Sequence, residues 1–280
     1  MPEVLYDILS KLRSVEPFPT VATTALQWSE RPDVIPADLV EVVQADPGLT
    51  AKVLKLSNSA YYGFQQQISS LREAGNRLGT KVLTNLIVTT CGTRYFREFG
   101  GDEESSSELW MRCVTNALSS RLIAGAHGNC DPEVAYTAAL LQDIGSIVIQ
   151  RFLTELSEPL QEEARVCGSL LDAEKRVLGL THAEIGARLS SSWGLPSKLV
   201  DTIRYHHRPE LAREDPVLAG TAHLAETLSW AVGAGAGLEG LTFNVSGAAL
   251  AITGLDREDL RELDNLLVSE LANAQDFMEA

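Results

Sequence analysis

The apolar residues of this chain recur every three or four positions, and no window shows a sustained alternation of apolar and polar residues. Three-to-four spacing places side chains on one face of an α-helix, whereas a half-buried strand needs strict alternation. Capping boxes and prolines at first helical positions mark where several of these segments begin. These starts are Asp46-Pro47, Ser70-x-x-Glu73, Asp131-Pro132 and Thr181-x-x-Glu184. The pattern predicts an all-α protein of roughly a dozen helices.

The charge balance limits the classes of partner. The 280 residues include 38 acidic and 23 basic side chains, for a formal net charge of -15. Nucleic-acid backbones and anionic membrane surfaces attract clustered Lys and Arg, so we expect neither as the main partner. The N-terminal residues do not form a signal peptide, and no apolar stretch reaches the ~20 residues of a spanning helix. We therefore expect a soluble, cytoplasmic protein without membrane insertion.

Residues 134–149 form an apolar run in which only Gln142 and Asp143 are strongly polar. A carboxylate in such a run is costly to bury unless it is ion-paired, hydrogen-bonded or bound to a metal. Asp143 is therefore either a functional-site residue or a capped core residue, and composition alone does not decide between them. Residues 100–107, rich in Gly, Ser and acidic residues, are predicted to be an exposed linker between two lobes.

Several motifs occur in a fixed order between residues 17 and 209. They are Phe18-Pro19-Thr20-Val21, Asp46-Pro47-Gly48-Leu49-Thr50, Leu56-Ser57-Asn58-Ser59-Ala60-Tyr61-Tyr62, Gln142-Asp143-Ile144-Gly145, His182-Ala183-Glu184-Ile185-Gly186, Trp193-Gly194-Leu195-Pro196 and Tyr205-His206-His207-Arg208-Pro209. Together they resemble the signature of HDOD domains, which are helical relatives of the HD superfamily of metal-dependent phosphohydrolases. The resemblance implies an N-terminal helical lobe followed by an HD-like helical bundle.

The resemblance also implies a division of the chain. An N-terminal helix would occupy residues 1–16, and the HDOD domain would occupy residues 17–215. Within that domain, the N-terminal lobe would cover about residues 17–100 and the HD-like lobe about residues 107–215. A C-terminal helical extension, residues 216–280, would pack on the HD-like lobe.

An HD hydrolase needs His and carboxylate ligands that converge on one or two metal ions. At the corresponding positions this chain has Arg112 and Gln142 where the family has histidines. It retains other candidates for a vestigial site: Asp143, His182, His206, His207 and Glu226. One of His206 and His207 is expected in the core, and the other on the surface.

The two replacements have physical consequences for a metal ion. An amide oxygen is a weaker ligand than imidazole for a transition metal. A guanidinium in the site would repel the cation, and we expect Arg112 to pair with Asp143 instead. The sequence therefore predicts no catalytic residue, no resident metal and no cofactor.

The resemblance favours a non-enzymatic bacterial signalling or regulatory module that binds another protein, and Asn58, Tyr61 and Tyr62 form a possible interaction segment. Paired tyrosines offer large contact area with a polar tip. Two alternatives remain open. One is a residual metal-dependent phosphohydrolase acting on nucleotides or cyclic dinucleotides. The other is a sensor of a small anionic ligand, such as a nucleotide, in which Arg112 grips the anion.

Overall fold

Helices form the whole framework of the protein. The computed structural model describes residues 2–152, 154–234 and 245–279, and these ranges contain no strand. The α-helices are α1 (Pro2–Leu12), α2 (Thr20–Ser29), α3 (Pro36–Val43), α4 (Pro47–Ser57), α5 (Leu71–Leu78), α6 (Thr80–Phe99), α7 (Glu103–His127), α8 (Pro132–Leu141), α9 (Ser146–Phe152), α10 (Ser157–Cys167), α11 (Leu170–Val177), α12 (His182–Ser192), α13 (Ser197–Tyr205), α14 (Pro216–Ala231), α15 (Gly247–Thr253), α16 (Arg257–Asn273) and α17 (Gln275–Met278). The all-α prediction is confirmed.

The predicted helix starts are real caps. The Asp46 carboxylate accepts the backbone N–H groups of Gly48 and Leu49 at the start of α4. Thr181 and Glu184 form a reciprocal capping box at the start of α12. Each of these side chains satisfies backbone donors that the first helical turn leaves without an intrahelical acceptor.

The predicted linker at residues 100–107 is wrong over most of its length. Helix α7 begins at Glu103, and the Asp102 carboxylate accepts the N–H of Ser105. The Ser106 side chain is buried and donates its hydroxyl to the Asp102 carbonyl. Acidic and serine residues favour a helix N-terminus as well as a loop, and here they extend the helix.

A glycine turn separates the two consecutive helices α10 and α11. α10 ends at Cys167, and Gly168 follows with a left-handed φ of 69°. Ser169 then caps α11 by accepting the N–H of Asp172. Glycine adopts this conformation without the steric cost of a Cβ, so the chain can turn there.

A single large core runs from the N-terminal helices to the C-terminal ones. Phe18, Leu86, Trp110, Leu140 and Phe277 are among its buried members. A smaller apolar cluster lies under α10 and α11 and includes Ile8 of α1.

The C-terminal helices contact both halves of the chain. Phe277 of α17 packs against Tyr61 and Tyr62 with ring centroids 5.5 and 6.1 Å away. The indole N–H of Trp110 in α7 donates to the Phe277 carbonyl at 3.4 Å. The lobe boundaries given above stay a prediction.

No helix within the described ranges is long and apolar enough to cross a membrane.

Candidate functional site

Asp143 lies at the centre of a buried polar cluster. It follows α8 and is 1% exposed. Its Oδ2 is 3.5 Å from Nε of Arg112 on α7. Its Oδ1 is 3.6 Å from Nε2 of His182 and 3.8 Å from Nε2 of His206. Four helical segments that are distant in sequence thus meet at one carboxylate.

His207 and Glu226 extend the cluster beyond Asp143. Nε2 of His207 is 3.0 Å from Nε2 of His182, and its Nδ1 is 3.6 Å from Oε2 of Glu226 on α14. The structure therefore brings together six of the seven side chains that the sequence placed in the vestigial site.

Gln142 is the seventh predicted residue, and it is fully buried. Neither its Oε1 nor its Nε2 finds a hydrogen-bond partner among the described residues. A buried amide left in this state costs about 1–3 kcal/mol in lost hydration. We find no stabilising role for this side chain.

Gly145 sets the distance between Asp143 and His182. The turn after α8 runs directly against the first turn of α12. A Cβ on Gly145 would overlap the carbonyl oxygen of His182 and lie 2.5 Å from the backbone nitrogen of Gly186. Only a residue without a side chain permits this approach, because backbone atoms cannot rotate away.

Glu174 holds the His182 ring in place. Glu174 is 2% exposed, and its Oε1 is 2.9 Å from Nδ1 of His182. Its Oε2 also accepts the backbone N–H of His182 at 2.8 Å. Burial lowers the pKa of His182, but the charge and hydrogen bond of Glu174 outweigh it and raise the pKa to about 9. His182 is therefore an imidazolium at neutral pH.

His206 and His207 are both internal, which corrects the expectation that one of them is a surface residue. The His206 ring is fully buried, and only 12% of the His207 side chain is exposed. Nδ1 of His206 is 2.8 Å from the Ile203 carbonyl oxygen, so the Nδ1–H donates a hydrogen bond to it. Burial lowers the pKa of His206 to about 4 and holds the pKa of His207 well below its usual value. Both rings are neutral at physiological pH.

The two carboxyl groups of the cluster differ in charge. Burial opposes ionisation of Asp143, but Arg112, with help from His206 and His182, holds its pKa below the usual value. Burial, followed by the charge of Asp143, raises the pKa of Glu226 to about 8. Asp143 is thus a carboxylate at neutral pH, whereas Glu226 is mainly a neutral acid.

The donor types of the cluster fit one transition-metal ion. The candidate nitrogen atoms of His182, His206 and His207 lie within 4.8 Å of one another. Glu174 and a backbone carbonyl orient two of these rings through Nδ1, as they do in many metal sites. The three imidazoles and the Asp143 carboxylate are the groups that would hold such an ion.

The charge of the cluster does not favour such an ion. Arg112 compensates Asp143, and the His182 imidazolium is compensated by Glu174. Binding a divalent ion would require His182 to lose its proton and the ion to sit near the Arg112 guanidinium. The cluster is therefore already neutralised by its own side chains.

The possible interaction segment lies at a different place. The Asn58 side chain bridges the end of α4 to Ile68 through the Ile68 N–H at 2.7 Å and the Ile68 carbonyl at 2.9 Å. Tyr61 and Tyr62 are half-buried, and the Arg121 guanidinium lies 4.5 Å from the Tyr61 ring centroid. Asn58 therefore fixes the loop that carries the two tyrosines.

Sequence reasoning missed two residues of the cluster. Glu174 is not among the predicted site residues, although it shares a helical face with Leu170 and Val177. Asn116 donates its amide to Oδ2 of Asp143 at 3.3 Å and lies one turn beyond Arg112 on α7. An acidic residue on an apolar helical face, such as Glu174, can be recognised in the sequence as a candidate buried residue. No sequence pattern indicates the role of Asn116.

Comparisons with known proteins agree with this fold. The family model described as HDOD domain matches residues 15–209. A crystal structure of an HDOD domain protein of unknown function from Geobacter sulfurreducens superposes with a TM-score of 0.76 at 24% identity, covering 100% of this chain and 97% of that one. A Shewanella amazonensis protein, provisionally described as a phosphohydrolase, gives 0.75 at 22% identity, with 97% of each chain covered.

Two further relatives are longer than this chain. A Marinobacter aquaeolei protein, provisionally described as a signal transduction protein, superposes with a TM-score of 0.76 at 25% identity, covering 95% of this chain and 60% of that one. An uncharacterised Treponema pallidum protein is 28% identical over 229 residues, which is 79% of this chain. The match spans 43% of that protein's length.

Proposed function

The chain belongs to the HDOD family, and on this premise we propose that it is a non-enzymatic signalling or regulatory module of the bacterial cytoplasm that acts by binding another protein. One of its structural relatives is provisionally described as a signal transduction protein, and another as a phosphohydrolase. The longer relatives carry sequence outside the matched region, which suits a domain used as a module.

The pairing of Arg112 with Asp143 is the observation that carries this proposal. A catalytic HD site uses its aspartate to hold a cation that activates water. Here a guanidinium lies 3.5 Å from that carboxylate, and both side chains are buried at 11% and 2% exposure. A buried carboxylate needs a compensating charge, and Arg112 supplies it permanently because guanidinium does not lose its proton in proteins.

A test of this proposal measures metal and phosphate release. We expect purified wild-type protein to contain substoichiometric Mn, Fe and Zn, and to leave phosphodiesters and nucleotides intact. Gln142→His should behave in the same way, because it adds one imidazole but leaves Arg112 beside Asp143. Gln142→His combined with Arg112→His should raise the metal content. Stoichiometric metal in the wild type, with phosphate release that Asp143→Ala abolishes, would contradict the proposal.

A metal-dependent phosphohydrolase is the second candidate function, because His182, His206 and His207 can converge on one ion. Together with Asp143 they offer four ligands of the kind that binds zinc or iron. The same metal analysis distinguishes the two candidates. This function requires metal in the wild-type protein.

We propose that partner binding involves Phe64, which follows the Tyr61-Tyr62 pair. Its ring is 39% exposed and stacks on Tyr62 with centroids 6.4 Å apart and planes at 18°. The guanidinium of Arg77 lies 5.6 Å from the same ring. Aromatic side chains and arginine are the residue types that contribute most to protein interfaces.

Phe64→Ala should weaken partner binding without unfolding the protein. A partner recovered from the native cell and identified by mass spectrometry would be purified, and its affinity for each variant measured. A central aromatic contact is worth at least ~2 kcal/mol, so we expect a loss of about thirtyfold. Val166→Ala, at a side chain 71% exposed on α10, is the matched control. Equal affinities of wild type and Phe64→Ala would exclude this surface.

A further inference from the structure

A cleft opens to solvent beside the buried cluster and shares His207 with it. Its volume is about 580 Å³, and it lies between the first turns of α11 and α12 and the end of α13. Clefts of ~300–1,000 Å³ are typical of sites for small molecules. His207 lines this cleft, and its ring centroid lies 4.0 Å from that of the buried His206.

The cleft has an excess of positive charge in a strongly acidic protein. Lys175, Arg204 and Arg208 line it, against the carboxylates of Asp172 and Glu184. Among the lining residues, three cations therefore face two carboxylates, with Glu210 beside Arg208 outside the lining, whereas the whole chain carries a net charge of -15. Such a local reversal of sign attracts an anion to the cleft.

The three cations differ in how firmly they are held. The Lys175 ammonium is 2.8 Å from both carboxylate oxygens of Glu184 and is already paired. Arg208 is exposed, and its Nε is 3.8 Å from Glu210. Arg204 is half-buried and forms no ion pair with any described residue. The Arg204 guanidinium is therefore available to pair with an anionic ligand.

Besides the hydroxyl residues Ser169 and Thr181, the cleft has apolar and aromatic lining groups. Leu171, Tyr205 and Leu211 line it, and Leu211 is 42% exposed. An inorganic anion would leave this apolar surface uncovered. A larger molecule with a flat ring would bury it against the leucines and the tyrosine ring.

We propose that this cleft binds a phosphate monoester whose organic part is flat and largely apolar, with nucleoside monophosphates as the simplest members of the class. The phosphate contacts Arg204 and Arg208, whose planar guanidinium groups match its oxygens in bidentate geometry. The ring lies against Tyr205 and Leu211. This binding is independent of the protein-binding role proposed above.

The assignment differs from the one that the sequence suggested. One alternative left open by the sequence is a sensor in which Arg112 grips the anion, although Arg112 is expected to pair with Asp143. In the structure Arg112 is engaged by Asp143, with 11% of its side chain exposed, whereas the two arginines that flank the His206-His207 pair line the cleft. The anion site is therefore at the mouth of the cluster and not at its centre.

Isothermal titration of the full chain tests the proposal. The probes are the four ribonucleoside monophosphates, the corresponding nucleosides and inorganic phosphate. We expect saturable binding of at least one monophosphate in the micromolar to submillimolar range. Its nucleoside and inorganic phosphate should each bind at least tenfold more weakly, because each lacks one half of the complementary ligand.

Variants then locate the binding. Arg208→Gln is at an exposed position and should weaken the monophosphate at least tenfold without a change in folding; Arg204→Gln should have the larger effect. Arg72→Gln, at an exposed position on α5, is the matched control for loss of one positive charge. The proposal is wrong if no monophosphate binds, if Arg208→Gln binds it as tightly as the control, or if the nucleoside or phosphate alone binds equally well.

Discussion

Gly145→Ala should destabilise the protein by at least ~3 kcal/mol and displace His182 from Asp143. The added Cβ would lie 2.5 Å from the backbone nitrogen of Gly186 and would overlap the His182 carbonyl. A clash with a flexible side chain could be relieved by rotation of that side chain. Because this clash is with backbone atoms of α12, the whole helix must move. That movement would increase the separation of Asp143 and His182, now 3.6 Å between Oδ1 and Nε2.

Gly125→Ala is the matched control for this substitution. Gly125 is an exposed residue of α7, and a Cβ there would meet no atom within 4 Å. Alanine is a better helix former than glycine by about 0.8–1 kcal/mol, so this variant should be slightly more stable than wild type. Urea denaturation followed by circular dichroism measures both effects. A Gly145→Ala midpoint equal to that of wild type would show that the two helices are not constrained at this point.

The helices could be predicted from the sequence because the patterns that specify them are local. Three-to-four apolar spacing and capping residues specify helices without knowledge of their neighbours, and helix α12 starts where its capping box indicated. The members of the buried cluster could be predicted for another reason. Its members lie in motifs that resemble those of a known family, and six of the seven predicted side chains meet as that resemblance implied.

The predictions from sequence were wrong where the local composition is compatible with two different structures. The acidic and serine-rich residues after Asp102 suit a loop, but they suit the first turn of α7 equally well. His206 and His207 are adjacent, so one of them would leave the buried face of a continuing helix. Helix α13 ends at Tyr205, and both histidines lie in the turn that the Arg208 N–H closes on the Tyr205 carbonyl at 2.8 Å. Tertiary packing decided each case.

Arg112 and Arg121 show that a buried guanidinium can have two different roles on one helix. Both side chains are 11% exposed. Arg121 lies between the rings of Tyr61 and Tyr136, with centroids at 4.5 and 4.7 Å, and is 3.7 Å from Glu133. Arg112 instead approaches a carboxylate that His182 and His206 also approach. If Arg112 takes the place of a metal ion, we expect the cluster to bind a metal ion only when Arg112 is removed.

Arg112→Met should therefore lose about 3–5 kcal/mol of stability, because Asp143 would be left in the core without its fixed positive charge. Added Zn²⁺ should restore much of the loss. An ion that binds only the folded state, present at about one hundred times its Kd, contributes ~2.7 kcal/mol. His182, His206, His207 and Asp143 are the ligands available to it.

Arg121→Met is the control that separates loss of a metal substitute from loss of a buried cation. It should be destabilised as well, since it gives up its contacts with Tyr61, Tyr136 and Glu133, but Zn²⁺ should not rescue it. Denaturation of wild type and both variants, with Zn²⁺ and with a chelator, gives the comparison. If Zn²⁺ stabilises wild type as much as Arg112→Met, Arg112 does not keep metal out of the cluster, and the phosphohydrolase becomes the better reading of this site. If neither variant loses stability, the two guanidinium groups are not needed to compensate their buried neighbours.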